Sequence, residues 1–117
     1  MHKISEFARS LGLRVELTRA SDPFFGTSET RGRKLMQRLK ELKFEMRAPI
    51  GIPAMKLAIA SFNLHELFFA QRFGLRLQDG TEAYTGCVAF GLERWVLALV
   101  SELGLSGAFS LAEGKLA

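Results

Sequence analysis

The sequence is poor in cysteine, proline, histidine and the larger aromatic residues. Its 117 residues include one cysteine, three prolines, two histidines, one tryptophan and one tyrosine. The single cysteine, Cys87, excludes a disulfide within the chain and suits a reducing compartment. It also excludes a zinc site built from several cysteines of this chain alone.

Long apolar runs and targeting signals are also lacking. No apolar run reaches the roughly 18 residues of a membrane span. The first ten residues, MHKISEFARS, lack the apolar core of a secretory signal. We therefore expect a cytoplasmic protein with no membrane partner. With 48% hydrophobic and 24% charged residues, the composition is that of one small globular domain.

The net charge of +4 is unevenly distributed. Residues 1–58 carry twelve Lys and Arg against six Asp and Glu, whereas residues 59–117 carry four against six. A basic half is typical of a surface that binds nucleic acid or an acidic protein. It is equally typical of an ordinary solvated surface, and the composition does not decide between them.

Hydrophobic periodicity predicts an α+β fold with a mainly antiparallel sheet. Period-two alternation predicts strands over 14–20, 43–48, 56–63 and 84–90. Period-3.6 patterns predict helices over 3–12, 31–42 and 92–103. The segment 64–73 fits either a short helix or irregular structure.

Glycines mark the expected turns and helix ends. Asp79-Gly80 predicts a turn, and the hairpin that it would close pairs 75–77 with 83–89. Gly104 is expected to end the last helix, with a fraying tail from Ser106 onward. The apolar face of that helix is expected to be core: Leu92, Trp95, Val96, Leu99 and Leu103.

The segment CVAFGLERW at 87–95 places an arginine where a strand turns into a helix at Gly91. Glu93 and Arg94 fall in the first turn of that helix, where unpaired backbone N–H groups favour anions. The Arg94 guanidinium adds a planar fork of donors for phosphate oxygens. The alternative is an ordinary surface arginine, and the spacing alone does not exclude it.

A second group of polar residues lies on the strand at 56–63. Period two places Ser61 and Asn63 on one face, which indicates either a lined pocket or a strand end that emerges into solvent. His65 follows, but its spacing from other residues creates no catalytic dyad, so a structural role is expected.

Cys87 shares a strand face with Thr85 and Ala89. A buried cysteine without a partner usually acts as a small hydrophobic residue.

The segment VAFGLER at 88–94 resembles motif 3 of the class II aminoacyl-tRNA synthetases. That pattern runs apolar, small, apolar, Gly, apolar, acidic, Arg, and every position matches. Further segments resemble the amino acid:[carrier protein] ligases, which are seryl-tRNA-synthetase-like enzymes that lack tRNA binding. These are SDPFFG at 21–26, LKFEMRAPI at 42–50, SFNLH at 61–65 and TGCVAFGLER at 85–94. The resemblance covers roughly residues 5–105.

This resemblance implies that residues 1–117 form part of a class II catalytic domain. It implies that Arg94 binds the ATP triphosphate, with Glu93 and Ser61 in the same site. It implies an amino-acid pocket lined by Ser61, Asn63 and Ala89, and it makes Cys87 a zinc ligand. The other zinc ligands of the family are not in this chain. The implied cofactors are ATP with magnesium and zinc.

Several features of the family have no counterpart here. Motifs 1 and 2 are absent, so we expect the chain to be inactive alone. The expected protein partners besides the carrier are a separately encoded N-terminal half or a second copy of the chain. Seryl-tRNA synthetases carry an acidic residue near the position of Ala58, where it helps to hold magnesium. The carrier-protein ligases usually carry Asp at the position of Leu67.

The leading hypothesis is ATP-dependent activation of a small amino acid and its transfer to the phosphopantetheine of an acidic carrier protein. The carrier would dock on the basic residues Arg31, Arg33, Lys34, Arg38, Lys40 and Lys43. One alternative is a seryl-tRNA-synthetase-like paralogue that acts on tRNA, which is less expected because few aromatic residues are placed for base stacking. The other is a non-enzymatic interaction module.

Overall fold

The computed structural model of the chain describes residues 1–20 and 42–114. Its elements are α1 (His2–Ser10), β1 (Glu16–Arg19), β2 (Lys43–Ile50), β3 (Met55–Glu66), α2 (Phe68–Phe73), β4 (Thr85–Phe90) and α3 (Leu92–Ala112). The strands form one sheet in the order β1-β2-β3-β4. The predicted α+β class and antiparallel sheet are confirmed. The predicted helix over 31–42 and the basic residues from Arg31 to Lys40 lie outside the described residues.

The chain divides into two compact units. One takes Met1–Thr18, Glu45–Ser61 and the described residues from Phe90 onward. The other takes the described residues of Arg19–Phe44 together with Phe62–Ala89. Arg94 therefore belongs to the first unit, and Cys87 belongs to the second.

The first unit has its core around Trp95 and Ala98 of α3. The Trp95 ring centroid lies 6.2 Å from that of Phe7 and 5.9 Å from that of Phe90. Leu92 and Val96, which the sequence placed in the core, are 71% and 60% exposed. That prediction was wrong because the helix is apolar on most of its circumference, so periodicity did not show which side makes the contact.

The helix α3 bends at Gly104, whose φ of 72° and ψ of 169° are not helical. The predicted break at this glycine is confirmed, but the predicted fraying is wrong, because helix resumes and continues to Ala112. The bend borders an apolar cavity of about 290 Å³.

By length and composition α3 could cross a membrane, with a mean hydropathy of 1.6, contrary to the expectation of no such run. The part of α3 before the bend, residues 92–103, is ~18 Å long. It is therefore too short to span the ~30 Å hydrocarbon core of a bilayer.

Between β3 and β4 the chain forms α2 and a tight turn. For the open choice over 64–73, the structure has a short helix only at Phe68–Phe73, whereas residues 64–66 continue strand β3. The Asp79-Gly80 turn is confirmed: Arg76 and Glu82 form an antiparallel bridge, and Leu77 N–H donates to the Thr81 carbonyl at 2.8 Å. The predicted pairing of 75–77 with 83–89 is wrong beyond Ala83, because Thr85–Phe90 form β4 and pair with β3 instead.

Candidate functional site

The switch from β4 to α3 occurs within one residue, Gly91. This residue is the N-cap of α3, and its carbonyl accepts from the N–H of Trp95 at 2.9 Å. Its own N–H donates to the carbonyl of Ile59 on β3 at 3.0 Å. The predicted strand-to-helix switch is confirmed, and both backbone groups of Gly91 are held by neighbouring elements.

Arg94 is the third residue of α3, and its side chain is anchored to the backbone of β3. Its Nη1 donates to the carbonyl oxygen of Ala58 at 3.0 Å, and the residue is exposed. Within residues 1–20 and 42–114, no carboxylate forms an ion pair with this guanidinium. Arginine has five N–H donors, so most of them remain available to an anion near the helix N-terminus.

The other two residues predicted for ATP binding belong to the same unit. Glu93 precedes Arg94 in the first turn of α3 and is exposed. Ser61 is half-buried and lies three residues beyond Ala58 on β3. Three strand residues span about 10 Å. Ser61 and the Ala58 carbonyl, which holds Arg94, therefore lie far enough apart to be near different parts of a nucleotide.

The second unit pairs the polar side chains of β3 and β4. Asn63 Nδ2 donates to Cys87 Sγ at 3.5 Å. Two residues further along β3, His65 Nδ1 lies 3.4 Å from Thr85 Oγ1. Asn63 and His65 are 4% and 7% exposed. The polar end of β3 is therefore buried within its unit, which favours the lined face over a strand that emerges into solvent.

His65 packs against α2. Its ring meets that of Phe69 edge-to-face, with centroids 4.7 Å apart. Burial lowers the pKa of His65 from its ordinary value of 6.5. The imidazole is therefore mainly neutral at physiological pH and contributes hydrogen bonding and packing, in line with the structural role expected for it.

On β4, Ala89 follows Thr85 and Cys87 along the same face and is exposed. Gly86 points to the other face, and a Cβ there would lie 3.0 Å from the carbonyl oxygen of Asn63. Gly86 thus permits the close approach of β4 to β3 that brings Asn63 and Cys87 together. Sequence reasoning missed this glycine, although an isolated glycine within a strand pattern is a recognised signal for close backbone approach.

Comparisons with known proteins agree on one group of enzymes. No protein-family model matches the chain. It is 37% identical over 99 residues to amino acid–[acyl-carrier-protein] ligase 1 of Bradyrhizobium diazoefficiens, covering 85% of this chain and 30% of that protein. It is 32% identical over 108 residues to the type-2 serine–tRNA ligase of Methanococcus aeolicus, covering 85% of this chain and 20% of that protein.

The fold points the same way. In the crystal structure of A. aeolicus tRNASec in complex with M. kandleri SerRS, the matching chain gives a TM-score of 0.75 at 19% identity, over 99% of this chain and 25% of that one. The chain is a seryl-tRNA-synthetase-like class II synthetase segment. The segment spans about 30% of the length of the ligases that it matches.

The zinc ion that the ligase resemblance implies does not fit the described part of the segment alone. A catalytic zinc needs three protein ligands and an open position. No group of three His, Cys, Asp or Glu side chains suited to a metal occurs within residues 1–20 and 42–114. Cys87 is a half-buried free thiol and can supply one ligand at most.

Proposed function

We propose that this chain carries the triphosphate-binding and amino-acid-binding residues of an enzyme that loads a small amino acid onto a carrier protein. The proposal is supported by the two Bradyrhizobium proteins, named amino acid–[acyl-carrier-protein] ligases 1 and 2, at 37% and 36% identity. The observation that carries it is Arg94, which is exposed at the start of α3, anchored to the Ala58 carbonyl and without an ion pair among residues 1–20 and 42–114.

The reaction has two steps. In the first, a carboxylate oxygen of the amino acid attacks the α-phosphorus of ATP. The bond between the α-phosphorus and the oxygen that bridges to the β-phosphate breaks. Pyrophosphate departs, and the product that stays bound is an aminoacyl adenylate. In the second, the phosphopantetheine sulfur attacks the acyl carbon, loses its proton to solvent and displaces AMP. Both steps depend on positioning and charge stabilisation more than on acid–base groups.

Arg94 would stabilise the negative charge that develops on the departing pyrophosphate. The N-terminus of α3 adds to its positive potential, and the Ala58 anchor limits the conformations of the guanidinium. Magnesium would arrive with the nucleotide, because this ion is commonly held by phosphate oxygens and water with few protein ligands. Glu93 and Ser61 complete the proposed ATP-binding set.

Asn63 and Ala89 would face the amino acid. The buried amide of Asn63 is already oriented by Cys87. The exposed methyl of Ala89 follows Cys87 along the same face of β4 and suits a substrate with a small side chain.

The test is amino-acid-dependent exchange of pyrophosphate into ATP by the enzyme completed with the N-terminal half that carries motifs 1 and 2. Arg94→Ala should reduce exchange by roughly 100-fold or more, because one preorganised charged donor typically contributes that much. Arg76→Ala is the matched control, since Arg76 also donates to a backbone carbonyl, that of Gly80 at 2.9 Å, but lies on the hairpin. Undiminished exchange by a folded Arg94→Ala protein would rule out the assigned role.

Action on tRNA is the second candidate. It is favoured by relatives named type-2 serine–tRNA ligase and by a structural neighbour bound to tRNA. If it is correct, tRNA binding should weaken steeply as salt rises, because phosphate contacts release counterions. Absence of binding at low salt would remove this candidate. Failure of the full gene product to bind ATP would instead favour a non-enzymatic interaction module.

The proposed partners follow from charge and from the family. An acidic carrier protein would bind the six basic residues between Arg31 and Lys43. Lys43 begins β2, and the other five lie outside the described ranges. A separately encoded N-terminal half would supply motifs 1 and 2, and a second copy of the chain is the other proposed partner. We place the assembly in the cytoplasm, in keeping with the single cysteine.

A further inference from the structure

The backbone conformation of Gly91 does not explain why this residue is a glycine. Its φ of −86° and ψ of 91° are extended values that residues with side chains also adopt. The space around it is the constraint. A Cβ on Gly91 would lie 3.0 Å from Cδ, 3.3 Å from Cγ and 3.4 Å from Cβ of Arg94.

The Arg94 side chain passes directly over Gly91 on its way to β3. It runs back along the first turn of α3 so that Nη1 reaches the Ala58 carbonyl at 3.0 Å. Gly91 itself cannot shift easily, because its N–H is bonded to Ile59 and its carbonyl to Trp95. If a methyl group is placed on residue 91, the flexible arginine must move rather than the backbone.

We infer that Gly91 is a positioning residue for Arg94, keeping open the path by which the guanidinium reaches the Ala58 carbonyl. A Cβ at residue 91 displaces the arginine side chain by a few tenths of an ångström and weakens that hydrogen bond. The guanidinium then samples more orientations in solvent. The consequence for nucleotide binding rests on the proposed function, whereas the coupling between the two residues does not.

A double-mutant cycle tests the coupling without any ligand. The thermal midpoint is measured for the full gene product, Gly91→Ala, Arg94→Ala and the double variant. In the Arg94→Ala background, Gly91→Ala should cause only the small loss expected for replacing an N-cap glycine, because no arginine side chain is left to clash with the new methyl group. In the presence of Arg94 the same change should lower the midpoint by roughly 2–8 °C more, because it also weakens a hydrogen bond. An equal shift in both backgrounds overturns the inference.

The matched control is the Arg76→Ala background. Arg76 lies on the hairpin and bonds to Gly80, so Gly91→Ala should behave there as it does in the unaltered protein. If Gly91→Ala lowers the midpoint of Arg76→Ala only as little as it lowers that of Arg94→Ala, the coupling is not specific to Arg94 and the inference is overturned.

Binding of magnesium–ATP separates this inference from the proposed function. Trp95 adjoins Arg94 in the sequence, and its fluorescence would be the readout of binding. Gly91→Ala should weaken binding about tenfold, the effect of losing roughly one hydrogen bond. If Arg94→Ala weakens binding and Gly91→Ala does not, the positioning role is wrong. If Arg94→Ala leaves binding unchanged, the proposed function is wrong, and the cycle still decides the coupling.

Discussion

Asn63 Nδ2 donates a hydrogen bond to Cys87 Sγ at 3.5 Å, from β3 to β4. Sequence reasoning treated these residues separately, one as a pocket residue and the other as a metal ligand. Their pairing means that the orientation of the sulfur and the orientation of the amide depend on each other. A change at either residue is therefore expected to disturb both proposed roles.

The first prediction concerns Asn63. In the pyrophosphate exchange assay, Asn63→Ala should raise KM for the amino acid roughly tenfold or more, because the substrate loses a buried polar partner and Cys87 loses its donor. Gln71→Ala is the matched control, since it removes an exposed amide from α2. An unchanged KM for the amino acid in Asn63→Ala would contradict the pocket assignment.

The second prediction concerns pH and His65. Burial lowers the pKa of His65 in the folded chain below its ordinary value of 6.5, so the unfolded chain binds the proton more readily. The free energy of unfolding should therefore fall as pH drops below about 6.5, by at most about 1.4 kcal/mol per pH unit, until the folded pKa is reached. Urea unfolding at several pH values measures this slope.

His65→Gln should remove the contribution of His65 to that slope. His2→Gln removes the exposed histidine of α1 and should leave the His65 contribution in place. A slope that survives His65→Gln unaltered would show that another group causes it.

The third prediction concerns the bend in α3. Gly104 has a φ of 72° and a ψ of 169°, a region that is essentially restricted to glycine. Gly104→Ala should lower the free energy of unfolding by about 1–3 kcal/mol. Ser106→Ala, an exposed change two residues later in the same helix, should stay within about 0.5 kcal/mol. Equal stability of the two variants would mean that the bend is not needed.

The fourth prediction distinguishes the two sides of α3. Trp95 is 8% exposed and packs against Phe7 and Phe90, so Trp95→Ala should cost about 3–5 kcal/mol. Leu92→Ala, at a position that is 71% exposed, should change the free energy of unfolding by no more than about 0.5 kcal/mol. A larger loss from Leu92→Ala in denaturant titrations would show that Leu92 is buried in solution.

Some features were decided locally, and the sequence was sufficient for them. The Asp79-Gly80 turn and the helix break at Gly104 follow from glycine and turn chemistry acting over a few residues, and the switch at Gly91 follows from the change of hydrophobic period there. The order of strands and helices follows from period-two and period-3.6 patterns. The same local pattern placed Arg94 in the first turn of α3, although its role toward phosphate stays a prediction.

Other features required the tertiary structure. The bond from Arg94 to the Ala58 carbonyl and the pairing of Asn63 with Cys87 join residues 36 and 24 positions apart. Which side of α3 is buried depends on Trp95 meeting Phe7 and Phe90, not on its own pattern. Strand register and side-chain packing are set by contacts between distant segments, and no local periodicity encodes which partner each residue meets.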